Sequence, residues 1–168
     1  IEGIHSRTDF DLKSHQELSG KKLQYFDHEM DQSYVPYVVE TSIGLNRVFL
    51  ALICNGYKNE KLEDGSERTV LAIPAFLAPV QIAIFPLIKK DGLPEKAREI
   101  QDVLKWDFKC FYEEKDTIGK RYRRMDALGT PYCITIDHQT LEDNTVTIRE
   151  RDTMKQERIS IEQLKAVV

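Results

Sequence analysis

The sequence is poor in cysteine and contains neither a long apolar run nor a recognisable leader segment. Cys54, Cys110 and Cys133 are odd in number, widely spaced and set among apolar residues, and no Cys-x-x-Cys pair occurs. This spacing supports neither a zinc site nor a disulfide framework, so reduced, buried thiols are expected. No apolar run approaches the roughly 20 residues that cross a bilayer, and no signal peptide is visible. The sequence therefore predicts a cytoplasmic protein with no membrane partner.

An initiator methionine is also absent, because the chain begins Ile1-Glu2-Gly3-Ile4, a pattern typical of the middle of a strand. We therefore expect a piece of a longer protein. The 168 residues are 41% hydrophobic and 31% charged, which indicates one globular domain of ordinary size or two small units. The spacing of His5, His15 and His28 matches no recognised ligand geometry, so no metal site is predicted.

A strand that turns directly into a helix is predicted over residues 34–53. Residues 34–39 are rich in aromatic and β-branched side chains, and apolar residues recur at helical spacing from Leu45 onward. Between them lie four polar or permissive residues, Glu40, Ser42, Gly44 and Arg47. A helix start offers an anion free backbone N–H groups and the positive end of the helix dipole, and Gly44 permits close approach. The alternative is a buried structural turn with Glu40 as a solvated charge.

The remaining pattern predicts an α/β chain in three parts. Residues 1–55 read as part of an antiparallel sheet, and residues 56–78 as a polar, glycine-punctuated loop or linker. In residues 79–168 strands alternate with helices, which predicts a three-layer α/β/α domain with a mixed, mainly parallel five-stranded sheet. Its strands are expected at residues 80–87, 108–112, 131–137, 145–150 and 157–159. The Gly-x-Gly-x-x-Gly run of dinucleotide-binding domains is absent.

One cluster of cations that could contact a nucleic acid lies on a predicted helix. Residues 120–124 place four cations within about one and a half turns, with Tyr122 directed towards the sheet. The alternative is a solvated helix face whose charge is neutralised by Asp116 and Asp126.

A second candidate lies on the strand predicted at residues 145–150. If Val146 and Ile148 face the core, Arg149 faces the other way, where an arginine can contact base edges or phosphates. Alternatively, Arg149 and Arg151 simply pair with nearby carboxylates.

The third signature motif of class II aminoacyl-tRNA synthetases, in its glycyl form, resembles the run Glu40-Thr41-Ser42-Ile43-Gly44-Leu45-Asn46-Arg47. Residues 2–15 resemble the segment that precedes this motif in the glycyl-tRNA synthetase family, of the single-polypeptide homodimeric type. Segments within residues 77–152, including Gly129-Thr130-Pro131-Tyr132, resemble the anticodon-binding domain shared by several class II enzymes. The resemblance covers nearly the whole chain, and residues 55–69 match least.

The resemblance implies a role for each part. Residues 1–55 would be the end of a class II catalytic core, and residues 79–168 an anticodon-binding domain. The parent enzyme would activate glycine with ATP and Mg²⁺, transfer it to tRNA(Gly) and form a homodimer. Arg47 and Glu40 would be the catalytic residues. The resemblance places further residues in three groups: ATP-binding Ile1, Gly44, Leu45, Asn46 and Arg47; glycine-binding Glu40, Thr41, Ser42, Ile43 and Gly44; and anticodon-contacting Arg149, Glu142 and Lys115.

The first two motifs of the family are missing from the sequence, so the chain alone is expected not to aminoacylate tRNA. Two other functions remain open. One is a stand-alone RNA-binding or regulatory module that reuses the anticodon domain. The other is a general interaction domain with no nucleic-acid role.

Overall fold

The computed structural model describes all 168 residues and divides them into two compact units, Ile1–Ala51 and Leu52–Val168. The division falls inside a helix that spans Leu45–Gly56. None of the helices combines the length and the apolar character needed to cross a membrane.

The first unit contains two separate antiparallel strand pairs and two helices. Its elements are β1 (Glu2–Thr8), α1 (Phe10–Ser19), β2 (Tyr25–Asp27), β3 (Gln32–Tyr34), β4 (Val38–Ile43) and the start of α2 (Leu45–Gly56). β1 pairs with β4, and β2 pairs with β3. α1 ends where Gly20 adopts a left-handed conformation and its amide donates to the carbonyl of Gln16. The expected antiparallel arrangement of this part is therefore present.

The strand predicted at residues 34–39 is displaced in the structure. β4 runs from Val38 to Ile43, so Glu40, Thr41 and Ser42 lie within the strand and only Gly44 forms the turn. Pro36 explains the shift, because its nitrogen carries no hydrogen and cannot donate to a strand ladder.

The second unit contains a hairpin and a five-stranded sheet with helices on both faces. The hairpin consists of β5 (Tyr57–Lys61) and β6 (Glu67–Leu71). The sheet and its helices follow as β7 (Ile82–Pro86), α3 (Leu93–Leu104), β8 (Cys110–Tyr112), α4 (Ile118–Leu128), β9 (Tyr132–Ile136), α5 (His138–Asp143), β10 (Thr145–Glu150), β11 (Gln156–Ser160) and α6 (Leu164–Val167). The strand order is β11-β10-β9-β7-β8.

The sheet is mixed and mainly parallel, as predicted. β7 runs parallel to both β8 and β9, whereas β10 is antiparallel to its two neighbours, β9 and β11. The side chains of β7 alternate between two buried faces. Ile82 and Ile84 pack with α3 and α6, while Ala83 and Phe85 pack with Met125 of α4. This double coverage explains why β7 is a nearly continuous apolar run.

The prediction of a loop over residues 56–78 is wrong for most of that range, because the hairpin β5–β6 forms there. β6 buries Arg68 and Val70, which are 3% and 1% exposed, so its inward face carries a charged residue. The sequence of β6 therefore lacks the alternation of apolar and polar residues from which a strand is predicted. Gly65 supplies the left-handed conformation of the turn.

The three cysteines are free and differ in exposure. Cys133 is buried and Cys110 is partly buried, and burial raises the pKa of these thiols to about 12 and about 11. The prediction of burial is wrong for Cys54, which is exposed. Its apolar neighbours on α2, including Phe49 and Leu50, are themselves exposed, so apolar surroundings in sequence did not correspond to a core.

Candidate functional site

In the first unit, the turn between β4 and α2 brings together several residues predicted to bind ATP. The amide of Gly44 donates to the carbonyl of Ile1 at 3.2 Å, and α2 begins at the next residue. The side chain of Arg47 lies over Gly44, where an added Cβ would meet Arg47 Cδ at 3.6 Å. Leu45 and Asn46 are exposed in the first turn of α2, which contains no acidic residue. The helix start can therefore accept an anion beside a guanidinium.

The exposed strand face next to this turn carries the residues predicted to bind glycine. Glu40 and Ser42 share one face of β4, and Thr41 and Ile43 share the other. Glu40 pairs in register with His5, and its carboxylate lies 3.5 Å from the Nε of Arg7.

Two backbone and side-chain features of β1 were not predicted from the sequence. Arg7 donates to both carboxylate oxygens of Asp11 at 2.8 and 2.9 Å, so its guanidinium is held in place beside Glu40. Gly3 lies opposite Ser42, and an added Cβ would meet Ser42 Oγ at 3.3 Å and His5 Nε2 at 2.6 Å. A side chain at position 3 would therefore crowd the strand face that carries Ser42. The sequence of β1 shows only an ordinary strand pattern, so it did not predict that Arg7 lies beside Glu40 or that Gly3 lies opposite Ser42.

In the second unit, Arg149 is buried, so the prediction of an exposed guanidinium is wrong. Its side chain is 6% exposed and donates to both carboxylate oxygens of Asp126 at 2.8 and 3.0 Å. The guanidinium also lies 4.8 Å from the centre of the Tyr122 ring. The predicted alternation of β10 is correct, but α4 covers the face on which Arg149 lies.

Asp126 also binds a second buried guanidinium. Arg68 of the hairpin donates to Asp126 at 3.2 Å and pairs with Glu60 on the neighbouring strand. Asp126 is fully buried, so one carboxylate neutralises two arginines from separate segments. Its expected role of neutralising an exposed helix face is therefore wrong.

Arg151 is a third buried arginine, and it confirms the alternative of internal pairing. Its guanidinium donates to Asp152 and to the carbonyls of Leu71, Ile73 and Gly129 at 3.2, 3.0 and 2.9 Å. Gly129 has a φ of +87°, and an added Cβ would meet the Leu71 carbonyl oxygen at 2.9 Å. Arg151 thus connects the hairpin to the end of α4.

Three exposed lysines lie at the carboxyl edge of the parallel strands. Lys115 follows β8, and Lys89 and Lys90 follow β7. Glu142 is exposed on α5, between the end of β9 and the start of β10. Lys115 and Glu142 therefore lie at the same end of the sheet, beyond strands β8 and β9, which β7 separates.

The cationic helix α4 combines buried and exposed side chains. Arg124 pairs with Asp116 and Glu113 at 2.9 and 2.8 Å, which confirms the predicted neutralisation by Asp116. Arg123 is exposed and donates to Ser66 Oγ. Tyr122 faces the sheet as predicted, and its hydroxyl lies 2.6 Å from Thr135 Oγ1.

A shallow pocket of about 250 Å³ opens at the same carboxyl edge and was not predicted from the sequence. It is lined by Leu87, Ile118, Tyr122, Thr135, Asp137, Thr147 and Gln156. The signal that could have found it is positional, because Leu87 and Asp137 directly follow parallel strands, where ligands bind open α/β sheets. Its hydroxyl, carboxylate and amide groups can donate and accept hydrogen bonds.

Asp137 also stabilises the fold at this edge. It accepts hydrogen bonds from Arg158 at 2.7 and 2.9 Å and from the amide of Thr140, which completes a capping box at the start of α5. No helix was predicted here from the sequence, although Asp137 and Thr140 have the spacing of a capping box. The hydrogen bonds from Arg158, with help from Thr140, lower the pKa of Asp137 to about 2.

A pH titration of stability checks this role of Asp137. A carboxyl with a lowered pKa stabilises the fold above its unfolded pKa of about 3.9, and this stabilisation disappears as the pH falls towards 2. We expect Asp137→Asn to cost about 2 kcal/mol of unfolding free energy at pH 7 and much less at pH 2.5. Urea unfolding at both pH values measures the difference. An equal cost at both would contradict the assignment.

The structure contains no group of three or more His, Cys, Asp and Glu residues placed to hold a metal ion. Residues 81–168 match the family model described as "Anticodon binding domain". The chain therefore belongs to the anticodon-binding domain family, and the five-stranded sheet described above is the fold of that domain.

Three relatives that match nearly the whole chain, and not only residues 81–168, are glycine–tRNA ligases. A glycine–tRNA ligase of Borrelia hermsii is 49% identical over 170 residues, covering 100% of this chain and 38% of the relative. Those of Treponema denticola and Clostridium tetani are 50% and 53% identical, covering 95% and 96% of this chain and 36% and 35% of the relatives. The chain thus spans little more than a third of their length. The resemblance to the glycyl-tRNA synthetase family is confirmed.

Proposed function

We propose that the chain is part of a glycine–tRNA ligase and that residues 79–168 bind the anticodon region of tRNA(Gly). The observation that carries the proposal is the carboxyl edge of the sheet, where a partly polar pocket and the segments that carry exposed lysines lie at the same end of a domain of the anticodon-binding family. Exposed lysines attract phosphates, while the hydroxyl, carboxylate and amide groups of the pocket can recognise base edges. Lys115 and Glu142 contact the anticodon from this edge, and Arg149 supports it from within.

We further propose that residues 1–55 belong to the catalytic core of that ligase. The whole enzyme activates glycine with ATP and Mg²⁺, transfers the glycyl group to tRNA(Gly), and functions as a homodimer in the cytoplasm. Bound ATP would supply the adenylyl group that activates the glycine carboxylate, with pyrophosphate as the leaving group. Arg47 stacks on and neutralises the nucleotide beside Gly44, while Glu40 and Ser42 orient glycine through its ammonium group.

The turn at Gly44 supports this assignment by its composition and geometry. The backbone amides at the start of α2 are available to an anion, and Arg47 already lies against Gly44. On the strand face, the Glu40 carboxylate suits the ammonium group of glycine, because opposite charges attract.

Binding of tRNA(Gly) to the purified chain tests the anticodon proposal. We expect Lys115→Ala to weaken binding several-fold and to reduce the salt dependence of log K by about one unit of slope. Lys109→Ala is the matched control, because Lys109 is also an exposed lysine beside β8 but precedes the strand instead of following it. Equal effects of the two substitutions would remove the carboxyl edge from the proposal. A chain that binds no tRNA would overturn it.

A further inference from the structure

Arg121 of α4 is a buried guanidinium with an unusual set of partners. Its side chain is 2% exposed, and one terminal nitrogen, Nη1, donates to the carbonyls of Pro86 and Glu113 at 2.7 and 3.2 Å. The other, Nη2, donates to the carbonyl of Leu87 at 3.4 Å. The guanidinium carbon lies 5.4 Å from the centre of the Phe85 ring. Its hydrogen-bond partners are therefore backbone carbonyls alone, and an aromatic ring lies beside it.

The positive charge of Arg121 is not neutralised in the way of the other buried arginines. Arg68 and Arg149 form salt bridges with Asp126, whereas Arg121 forms none. Its Nε is buried without any hydrogen-bond partner. Burial accordingly lowers the pKa of this guanidinium. An apolar side chain would avoid this desolvation cost, so packing alone does not account for an arginine here.

The three carbonyls that Arg121 binds belong to the ends of two adjacent parallel strands. Pro86 is the last residue of β7, Leu87 follows it, and Glu113 directly follows β8. One planar guanidinium therefore sets the separation and direction of the segments 87–92 and 113–117 as they leave the sheet.

These two segments carry the exposed lysines of the carboxyl edge. Residues 87–92 contain Lys89 and Lys90, and residues 113–117 contain Lys115. A salt bridge of 3.9 Å between Lys89 and Glu114 also joins the two segments at the surface. A lysine can match a particular phosphate only if its backbone is fixed, so the guanidinium beneath both segments controls the spacing of these charges.

We propose that Arg121 is a positioning residue for RNA binding: it fixes the segments 87–92 and 113–117, so that their lysines are spaced to contact the phosphates of one RNA strand. This inference rests on the proposed tRNA-binding function of the same edge. Arg121 itself is too buried to touch RNA, so it acts through the backbone of the two segments.

Arg121→Lys is the variant that separates charge from position. Lysine keeps the positive charge but has a single ammonium group, which cannot span three carbonyls as the guanidinium fork does. We expect tRNA(Gly) to bind about tenfold more weakly, with the salt dependence of log K unchanged because no phosphate contact is removed. Amide hydrogen exchange should accelerate in residues 87–92 and 113–117 and stay unchanged in the β9 core.

Arg123→Lys is the matched control, because Arg123 is exposed on the same helix and its guanidinium donates to Ser66 instead of to either segment. It should leave hydrogen exchange in both segments unchanged. Arg121→Gln provides a second variant if R121K does not fold, because its amide donates hydrogen bonds without a buried charge, and the same accelerated exchange and weaker binding are expected.

The outcomes separate this inference from the function on which it rests. If the unaltered chain binds tRNA(Gly) and both Arg121 variants, folded by circular dichroism, bind equally well, the positioning role is wrong and the proposed function stands. Lower stability with unchanged affinity and unchanged segment exchange would make Arg121 purely structural. If the unaltered chain binds no tRNA, the proposed function fails, and with it the inference.

Discussion

Replacing Asp126 with asparagine should lower the free energy of unfolding by about 3 kcal/mol, because it leaves two buried guanidiniums without their shared charge partner. Asp126 accepts hydrogen bonds from Arg149 at 2.8 and 3.0 Å and from Arg68 at 3.2 Å, and its side chain is 1% exposed. Arg68 retains Glu60 as a partner, whereas Arg149 has no other carboxylate within salt-bridge distance. Urea unfolding of the whole chain measures the loss.

Asp116→Asn makes the same chemical change at an exposed salt bridge. Asp116 pairs with Arg124 on the same helix as Asp126, but 37% of its side chain is exposed and water can replace the lost partner. Stability should therefore change little. Similar losses for the two variants would show that burial of the arginine–aspartate network does not determine its energetic importance.

The Asp126 network also explains why part of the fold could be predicted from sequence and part could not. β10 was predicted at its observed limits, and β7 was recognised within two residues of its start, because both strands alternate or concentrate apolar side chains. The mixed, mainly parallel sheet followed from the alternation of strands with helices. These features depend on local pattern, which the sequence displays directly.

The arginines could not be placed by the same reasoning. A charged residue on a strand normally predicts an exposed position, yet Arg68 and Arg149 are both buried. Their burial depends on Asp126, which is separated from them by 58 and 23 residues. A pairing over such distances has no periodic signature, so the hairpin was predicted as a loop and Arg149 as an exposed contact.

The candidate sites also differ in whether their residues could be grouped from the sequence alone. Glu40 to Arg47 is a continuous run, so its residues remain together in the structure however the rest of the chain folds. The pocket at the carboxyl edge is assembled from several separate segments, so only knowledge of the strand order could have brought its residues together. Arg121 was included in the cationic cluster of residues 120–124, but its inward direction depends on the carbonyls that end β7 and β8.

Residues 81–168, the part that matches the family model, should be much less stable alone than residues 52–168. The preceding segment supplies Arg68 to the Asp126 network and two carbonyl acceptors to Arg151. It also buries Val70 and Ile73, which are 1% and 7% exposed. Burial of two such side chains contributes about 1.5–3 kcal/mol each, so we expect a loss of about 3–6 kcal/mol from this burial alone.

Urea unfolding of the two purified segments tests this expectation. Residues 52–168 form one compact unit and should unfold in a single cooperative transition. Residues 81–168 should unfold at a much lower urea concentration or show no cooperative transition, because Arg151 and the covered face of α4 lose their partners. Val70→Ala and Ile73→Ala in residues 52–168 separate apolar burial from the arginine contacts, since both variants retain Arg68 and the backbone carbonyls. Equal urea midpoints for the two segments would show that the hairpin does not stabilise the domain. We expect different midpoints, because the buried arginines make the hairpin part of the domain's core.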